Sequence, residues 1–327
     1  MQESNKFYFR VDSSSDIGFG HLSRTKVLAE KIQDRGNQVI FLSIEEPGAI
    51  RLQSIEHRFF SSELHIIDYL KKNEKGFIVI DHYQIDSKTE SILRQLARKV
   101  LVIDDLANRK HDCDFLLDQN LHPKYETRYS SLLKPHTKLL LGPKYCILSD
   151  KFQNTKSRIR EEVRNILVFF GGGDHLDQTK KYLPMMTNLK EYNWEIVVGD
   201  SNKSSNEIEK ACKNHSHLSF HKQINYMHEL MMSSDLYFGA GGYTSLERTS
   251  VHLPGIIVTI AENQIGPTKG LADKHTCIYL GHHSEVNINK VKECLENLDE
   301  EKLKTMSLNC NSIVDGKGIE RILDIIL

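Results

Sequence analysis

Short runs of aromatic and β-branched residues recur along the chain. Each is followed by a polar or glycine-rich break and then by apolar residues at helical spacing. Residues 7–11 read as a buried strand, and Leu22, Val27, Leu28, Ala29 and Ile32 fall on one face of a helix that starts near His21. Residues 38–43, 77–80, 100–103, 115–118 and 138–142 predict further strands, and residues 87–98 a helix. The run 77–80 (Phe-Ile-Val-Ile) is continuously apolar, the pattern of a strand covered on both faces of a parallel sheet. Residues 151–164 are polar and charged without an apolar stripe, which predicts a domain boundary. The pattern then restarts, with strands at 165–170, 194–198, 218–220, 236–238 and 254–260 and a helix entered near Thr179. A helix over 227–232 is expected to place Met227, Leu230 and Met231 in the core. This alternation predicts an α/β protein with a doubly wound sheet in each of two domains, residues 1–155 and 156–327.

Length agrees with that division, because 327 residues exceed one ordinary core. Hydrophobic residues make up 39% and charged residues 27%, the balance of a globular protein. A net charge of -1 gives no electrostatic case for a nucleic-acid partner. The chain has no apolar run of membrane-spanning length, and residues 1–5 lack a signal-peptide layout, so a cytoplasmic protein with no membrane partner is expected. Six scattered cysteines without a C-x-x-C pair suit free thiols in a reducing compartment. His215, His217, His282 and His283 lack cysteine or carboxylate partners at ligand spacing, and a solvated surface is expected for them rather than a metal. Asp104-Asp105, at a strand end, is expected to serve as a loop and cap.

The candidate chemistry lies where strands give way to loops. Residues 10–32 form a strand, a serine- and glycine-containing loop and a helix, an arrangement that leaves the first helical N–H groups free for an anion or a sugar. Gly18-Phe19-Gly20 is no dinucleotide fingerprint, since Ser23 stands at the third glycine position, and no Gly-Lys-Ser/Thr follows. His21 stands at the helix start instead, where the dipole disfavours a cation. A neutral imidazole facing a ligand is a usable general base; a histidine there also serves simply to cap or pack, and the residues alone leave both readings open. Asp81-His82-Tyr83 ends a strand at the edge where open α/β sheets bind ligands. Gly171-Gly172-Gly173-Asp174 repeats the strand–loop–helix opening in the second domain. The run Gly239-Ala240-Gly241-Gly242-Tyr243-Thr244-Ser245 brings free N–H groups and two hydroxyls together, as a diphosphate cradle requires. Glu247 is placed to accept hydrogen bonds from ribose hydroxyls, and Asn263 and Gln264 arrive at the same edge. Glycines with Ser and Thr also simply turn and cap chains.

Longer motifs give a resemblance. The chain is similar to the UDP-2,4-diacetamido-2,4,6-trideoxy-β-L-altropyranose hydrolase family of pseudaminic acid biosynthesis over nearly its whole length. The similarity rests on R-V-D-S-S-S-D-I-G-F-G-H at 10–21, D-H-Y at 81–83, D-D-L-A-N-R-K-H-D-C-D-F-L-L-D-Q-N at 104–120 and L-G-P-K-Y at 141–145. F-G-G-G-D at 170–174, G-A-G-G-Y-T-S-L-E-R at 239–248, A-E-N-Q at 261–264 and D-G-K-G at 315–318 complete it. The resemblance implies two Rossmann-like domains in a GT-B arrangement with an interdomain cleft, and hydrolysis of a UDP-sugar at its anomeric carbon with inversion. His21 matches the family's catalytic histidine. Asp12, Tyr83 and Asn263 match positions around the sugar, and the loop at 239–245 with Glu247 matches the UDP site. The candidate substrate contacts are therefore Asp12, Gly20, Tyr83, Asp174, Gly241, Gly242, Thr244, Ser245, Glu247, Asn263 and Gln264. Departures are Leu246, where the family usually carries tryptophan, and Ser149, where it carries arginine. UDP leaves as a stabilised anion, so one base and a diphosphate cradle suffice, and neither a metal nor a cofactor is expected. The partners expected are the UDP-sugar substrate and the UDP product, acted on by a monomer. A GT-B glycosyltransferase and a non-catalytic nucleotide-sugar binding module share most of these features and are the alternatives.

Overall fold

Aromatic β1 (Lys6–Val11) is an interior strand of the first sheet, with its side chains buried on both faces. The computed structural model describes residues 5–13, 20–153 and 158–327; the loop at 14–19 and the expected 155/156 boundary lie outside them. After β1 come α1 (Gly20–Asp34), β2 (Gln38–Ile44), β3 (Glu56–Phe60), α2 (Glu63–Lys72), β4 (Phe77–Asp81) and α3 (Ser87–Leu96). β5 (Lys99–Ile103), β6 (Phe115–Asp118) and β7 (Lys138–Leu141) complete a seven-stranded parallel sheet of order β3-β2-β1-β4-β5-β6-β7. Alternation along β1 decides the two cores: Phe7, Phe9 and Val11 pack with Leu28 and Ile32 of α1, whereas Tyr8 packs on the face that holds Ile66 and Leu70 of α2 and Leu93 of α3. The chain order reverses between β1 and β4, and in register Val11 lies opposite Asp81. That reversal is where open α/β sheets form ligand crevices, beyond the strand C-termini.

The second unit repeats the plan. It contains β8 (Asn165–Phe169), α4 (Gln178–Asn188), β9 (Asn193–Val198), α5 (Ser205–Lys213), β10 (Leu218–Lys222), α6 (Met227–Ser233) and β11 (Leu236–Gly239). α7 (Thr244–Ser250), β12 (Gly255–Thr259), α8 (Glu262–Asp273), β13 (Cys277–His282), α9 (Ile288–Glu296) and α10 (Glu300–Asn311) follow. Its six-stranded parallel sheet has the order β10-β9-β8-β11-β12-β13, with the reversal between β8 and β11. Of the expected core residues on α6, only Met231 is fully buried; Met227 and Leu230 are half-buried because the helix lies at the surface.

The units are not the linear halves expected. The first takes the chain up to Asn120, Lys124–Ser149 and Lys317–Leu327, and the second takes Leu121–Pro123 and Asp150–Gly316. The physical reason is α11 (Gly318–Ile326), whose Ile319, Ile322, Leu323 and Ile326 complete the first unit's core beside α1. Gly318 permits the docking: a Cβ there would sit 2.1 Å from the Cys146 carbonyl oxygen. The six cysteines are free thiols. Among the described residues no helix is long and apolar enough to cross a membrane.

Candidate functional site

The expected site residues fall into two groups, one in each unit. In the first, a network of ion pairs occupies the C-terminal ends of β1, β4 and β5. His21, in the first turn of α1, is buried, and its Nδ1 lies 2.6 Å from Oδ1 of Asp81 at the end of β4. Arg24, one turn further on, grips the same carboxylate with two bonds, Nε to Oδ2 and NH2 to Oδ1, each 2.6 Å. Its NH1 reaches Oδ2 of Asp105 at 3.1 Å. The Tyr83 hydroxyl donates to the other oxygen of Asp105 at 2.9 Å, and its ring meets the His21 ring edge-on, centroids 4.5 Å apart. Burial alone would raise the Asp81 pKa, but Arg24 and His21 outweigh it and hold the carboxyl well below the usual range. An ionised Asp81 can only accept, so the Nδ1 of His21 that faces it is the nitrogen that donates, and in the neutral tautomer that this pairing selects, Nε2 is the acceptor. Burial and the Asp105 carboxylate raise the Tyr83 hydroxyl, which stays protonated.

Asp12 is a structural anchor in this network. Arg10 holds it through two bonds of 2.6 and 2.8 Å, the Ile44 N–H donates to it at 2.8 Å, and His82 Nε2 lies 3.0 Å away. His82 Nδ1 accepts from the Gln84 N–H, so the proton on Nε2 is the one aimed at Asp12. Burial opposes ionisation of Asp12, but His82 and Arg10 outweigh it and keep the carboxyl well below its usual range. Gly20 opens α1 and is exposed. The motif at 104–120 lies beside Asp81 in the sheet. Asp104 is fully buried, pairs with Arg109 at 2.5 Å and accepts from the Tyr129 hydroxyl; it is not a cap for a helix, because the segment after it is loop.

In the second unit the candidates follow β8, β11 and β12. Asp174 has φ of 40°, and its two oxygens accept the Gln178 and Thr179 N–H groups at 2.9 Å each. Both are therefore taken up by the start of α4, and the side chain is buried. Gly241 admits a close neighbour, since a Cβ there would lie 2.2 Å from Oγ1 of Thr268. Gln264 gives its Oε1 to the Ile260 N–H, and its Nε2 is the nearest atom to a Cβ built on Gly242. Ser245 is buried, and its hydroxyl and that of Thr268 have no hydrogen-bond partner among the described residues. Thr244 and Glu247 are half-buried on α7, and Asn263 is exposed at the start of α8. Burial pushes the Glu247 carboxyl up to about 7. Leu246, at the position of a departure, is buried.

Comparison with known proteins bears on the relatives and on the fold. No family model matches the chain. It is 27% identical over 241 residues to UDP-2,4-diacetamido-2,4,6-trideoxy-beta-L-altropyranose hydrolase of Campylobacter jejuni, covering 70% of this chain and 85% of that one. The chain is a relative of that hydrolase, as its motifs led us to expect. It is also 22% identical over 328 residues to spore coat polysaccharide biosynthesis protein SpsG of Bacillus subtilis, covering 97% and 96% of the two chains. An uncharacterised protein of Methanocaldococcus jannaschii is 25% identical over 302 residues, 86% of this chain; the chain spans 60% of that relative's length. Among solved structures, MurG of Acinetobacter baumannii superposes with a TM-score of 0.68 at 16% identity, covering 98% of this chain and 99% of that one. UGT89C1 of Arabidopsis thaliana, complexed with UDP, gives 0.64 at 12% identity, covering 99% and 100%. The fold is thus the two-domain α/β fold of GT-B glycosyltransferases.

Sequence reasoning missed Asp81 as the partner of His21, and with it Arg24 and Asp105. The signal was present: D-H-Y ends a buried strand, and Arg24 lies three residues after His21 on one helix face. Their pairing joins residues 57 and 81 positions apart in sequence, which no local pattern encodes.

Proposed function

We propose that the chain hydrolyses a UDP-2,4-diacetamido-2,4,6-trideoxyhexose to UDP and the free sugar, with inversion, in nonulosonic (pseudaminic) acid biosynthesis. The observation that carries the reading is the His21–Asp81 pair, which leaves His21 Nε2 as an acceptor. In the proposed step a water oxygen bonds to the anomeric carbon as its proton passes to Nε2. The bond from that carbon to the β-phosphate oxygen breaks, and UDP leaves with the electron pair. Asp81 stays ionised and stabilises the imidazolium that forms. Gly20, Tyr83 and Asn263 are assigned to the sugar, and Asp12, whose two oxygens are already held by Arg10, His82 and the Ile44 N–H, acts by anchoring the strand ends. Gly241, Gly242, Thr244, Ser245, Glu247 and Gln264 are assigned to UDP. The unpartnered Ser245 hydroxyl and the Gln264 amide beside Gly242 support that assignment. Asp174 acts through the start of α4, since its oxygens are already engaged. The name of the Campylobacter relative supports water as acceptor and this sugar class.

The likeness to glycosyltransferase structures favours a second reading, transfer of the sugar to another acceptor. Incubation with a panel of UDP-diacetamido sugars, followed by proton NMR of the anomeric signals, separates the two. Free sugar released in buffer without acceptor supports hydrolysis. Turnover that begins only when an acceptor is added supports transfer.

A further inference from the structure

We infer that Arg24 sets the strength of His21 as a base by holding its imidazole neutral. The inference rests on the proposed role of His21 for its meaning in catalysis, but not for its test. Among the described residues, three charged groups share the ground around the His21 ring: Asp81 from β4, Arg24 from α1 itself, and Asp105 after β5, reached through Arg24. Tyr83, after β4, faces the ring as a protonated phenol and gives its proton's hydrogen bond to Asp105. Asp12 and His82, from the neighbouring strand ends, are paired with each other.

A buried carboxylate facing a histidine ordinarily draws a proton onto it, which would forfeit the base at neutral pH. Here Arg24 satisfies both oxygens of Asp81 and brings its NH2 to 3.1 Å from His21 Nδ1. A second positive charge on the imidazole would face that guanidinium at contact distance. Asp81 therefore orients the ring without charging it. Asp105 works the other way, because its charge draws on Arg24 and relieves part of that repulsion. Arg24 is buried, and its five donors form a planar fork that lysine cannot reproduce. It is thus a positioning residue with an electrostatic duty.

The test is the titration of the His21 ring carbon signals in ligand-free protein carrying ¹³C-labelled histidine, assigned by their absence in His21→Ala. In Arg24→Gln the imidazole takes up its proton at a pH about one unit or more above the native protein. In Arg24→Lys, which keeps the charge, the midpoint stays close to native although the ring environment changes. In Asp105→Asn the midpoint moves down. The acid limb of the pH–rate profile for kcat/KM follows the same order. An unmoved midpoint in folded Arg24→Gln overturns the inference; should that variant not fold, an unmoved or rising midpoint in Asp105→Asn overturns it. Full turnover by His21→Ala, with the titration shifts as stated, would instead refute the base reading and leave the role of Arg24 standing.

Discussion

Replacing His21 by alanine is expected to lower turnover by roughly 10²–10⁴-fold, the usual worth of a positioned general base, while UDP binding changes little. Steady-state kinetics and calorimetry together check this. Asp81→Asn tests the pairing behind it: an amide offers a donor to Nδ1, favours the wrong tautomer, and should reduce kcat with KM largely kept. Glu247 has a separate signature. Its carboxyl is pushed up to about 7 by burial, so the ligand-free protein keeps that proton to higher pH than an exposed glutamate does. Ribose hydroxyls donating to it would favour the ionised form and lower its pKa in the complex. The sign is then fixed: UDP binding releases a proton near pH 7, and affinity rises with pH from about 5 to 8. Calorimetry in two buffers of different ionisation enthalpy reads this directly. Glu247→Gln should abolish the proton release and weaken UDP binding by about 1–3 kcal/mol. Binding in the native protein with no proton exchanged would remove Glu247 from the ribose.

Among the elements, α11 carries the sharpest stability prediction. It buries Ile319, Ile322, Leu323 and Ile326 against the first unit, and each fully buried aliphatic contributes about 1.5–3 kcal/mol. Removing residues 317–327 therefore forfeits an amount comparable with the whole stability of an ordinary domain. Calorimetry should show loss of the first unit's transition, and Gly318→Val should lower it markedly because the side chain meets the Cys146 backbone. This helix also shows what the sequence could not convey. Strands such as β4 and β5 were legible because continuous apolar runs admit few other fates. β3 was passed over, since Glu56-His57-Arg58-Phe59-Phe60 is a half-exposed edge strand with charged positions. The strongly amphipathic α11 predicts burial, but nothing local says which core receives it. Likewise F-G-G-G-D was legible as a loop before a helix, whereas the capping bonds that engage both Asp174 oxygens follow from its backbone conformation.

For the molecule as a whole, each unit gathers its polar candidates beyond the strand ends where its sheet order reverses. Such a fold serves transferases and hydrolases alike, so fold does not choose the acceptor. The central claim is that water attacks the anomeric carbon of a UDP-sugar with His21 as base. The most direct measurement is turnover of a UDP-2,4-diacetamido-2,4,6-trideoxyhexose in ¹⁸O-water without acceptor, followed by mass spectrometry of both products and early NMR of the released sugar. The account predicts one ¹⁸O in the sugar, none in UDP, and a first-formed anomer opposite in configuration to the substrate. Label in the β-phosphate of UDP, or retained configuration at the earliest times, would contradict it.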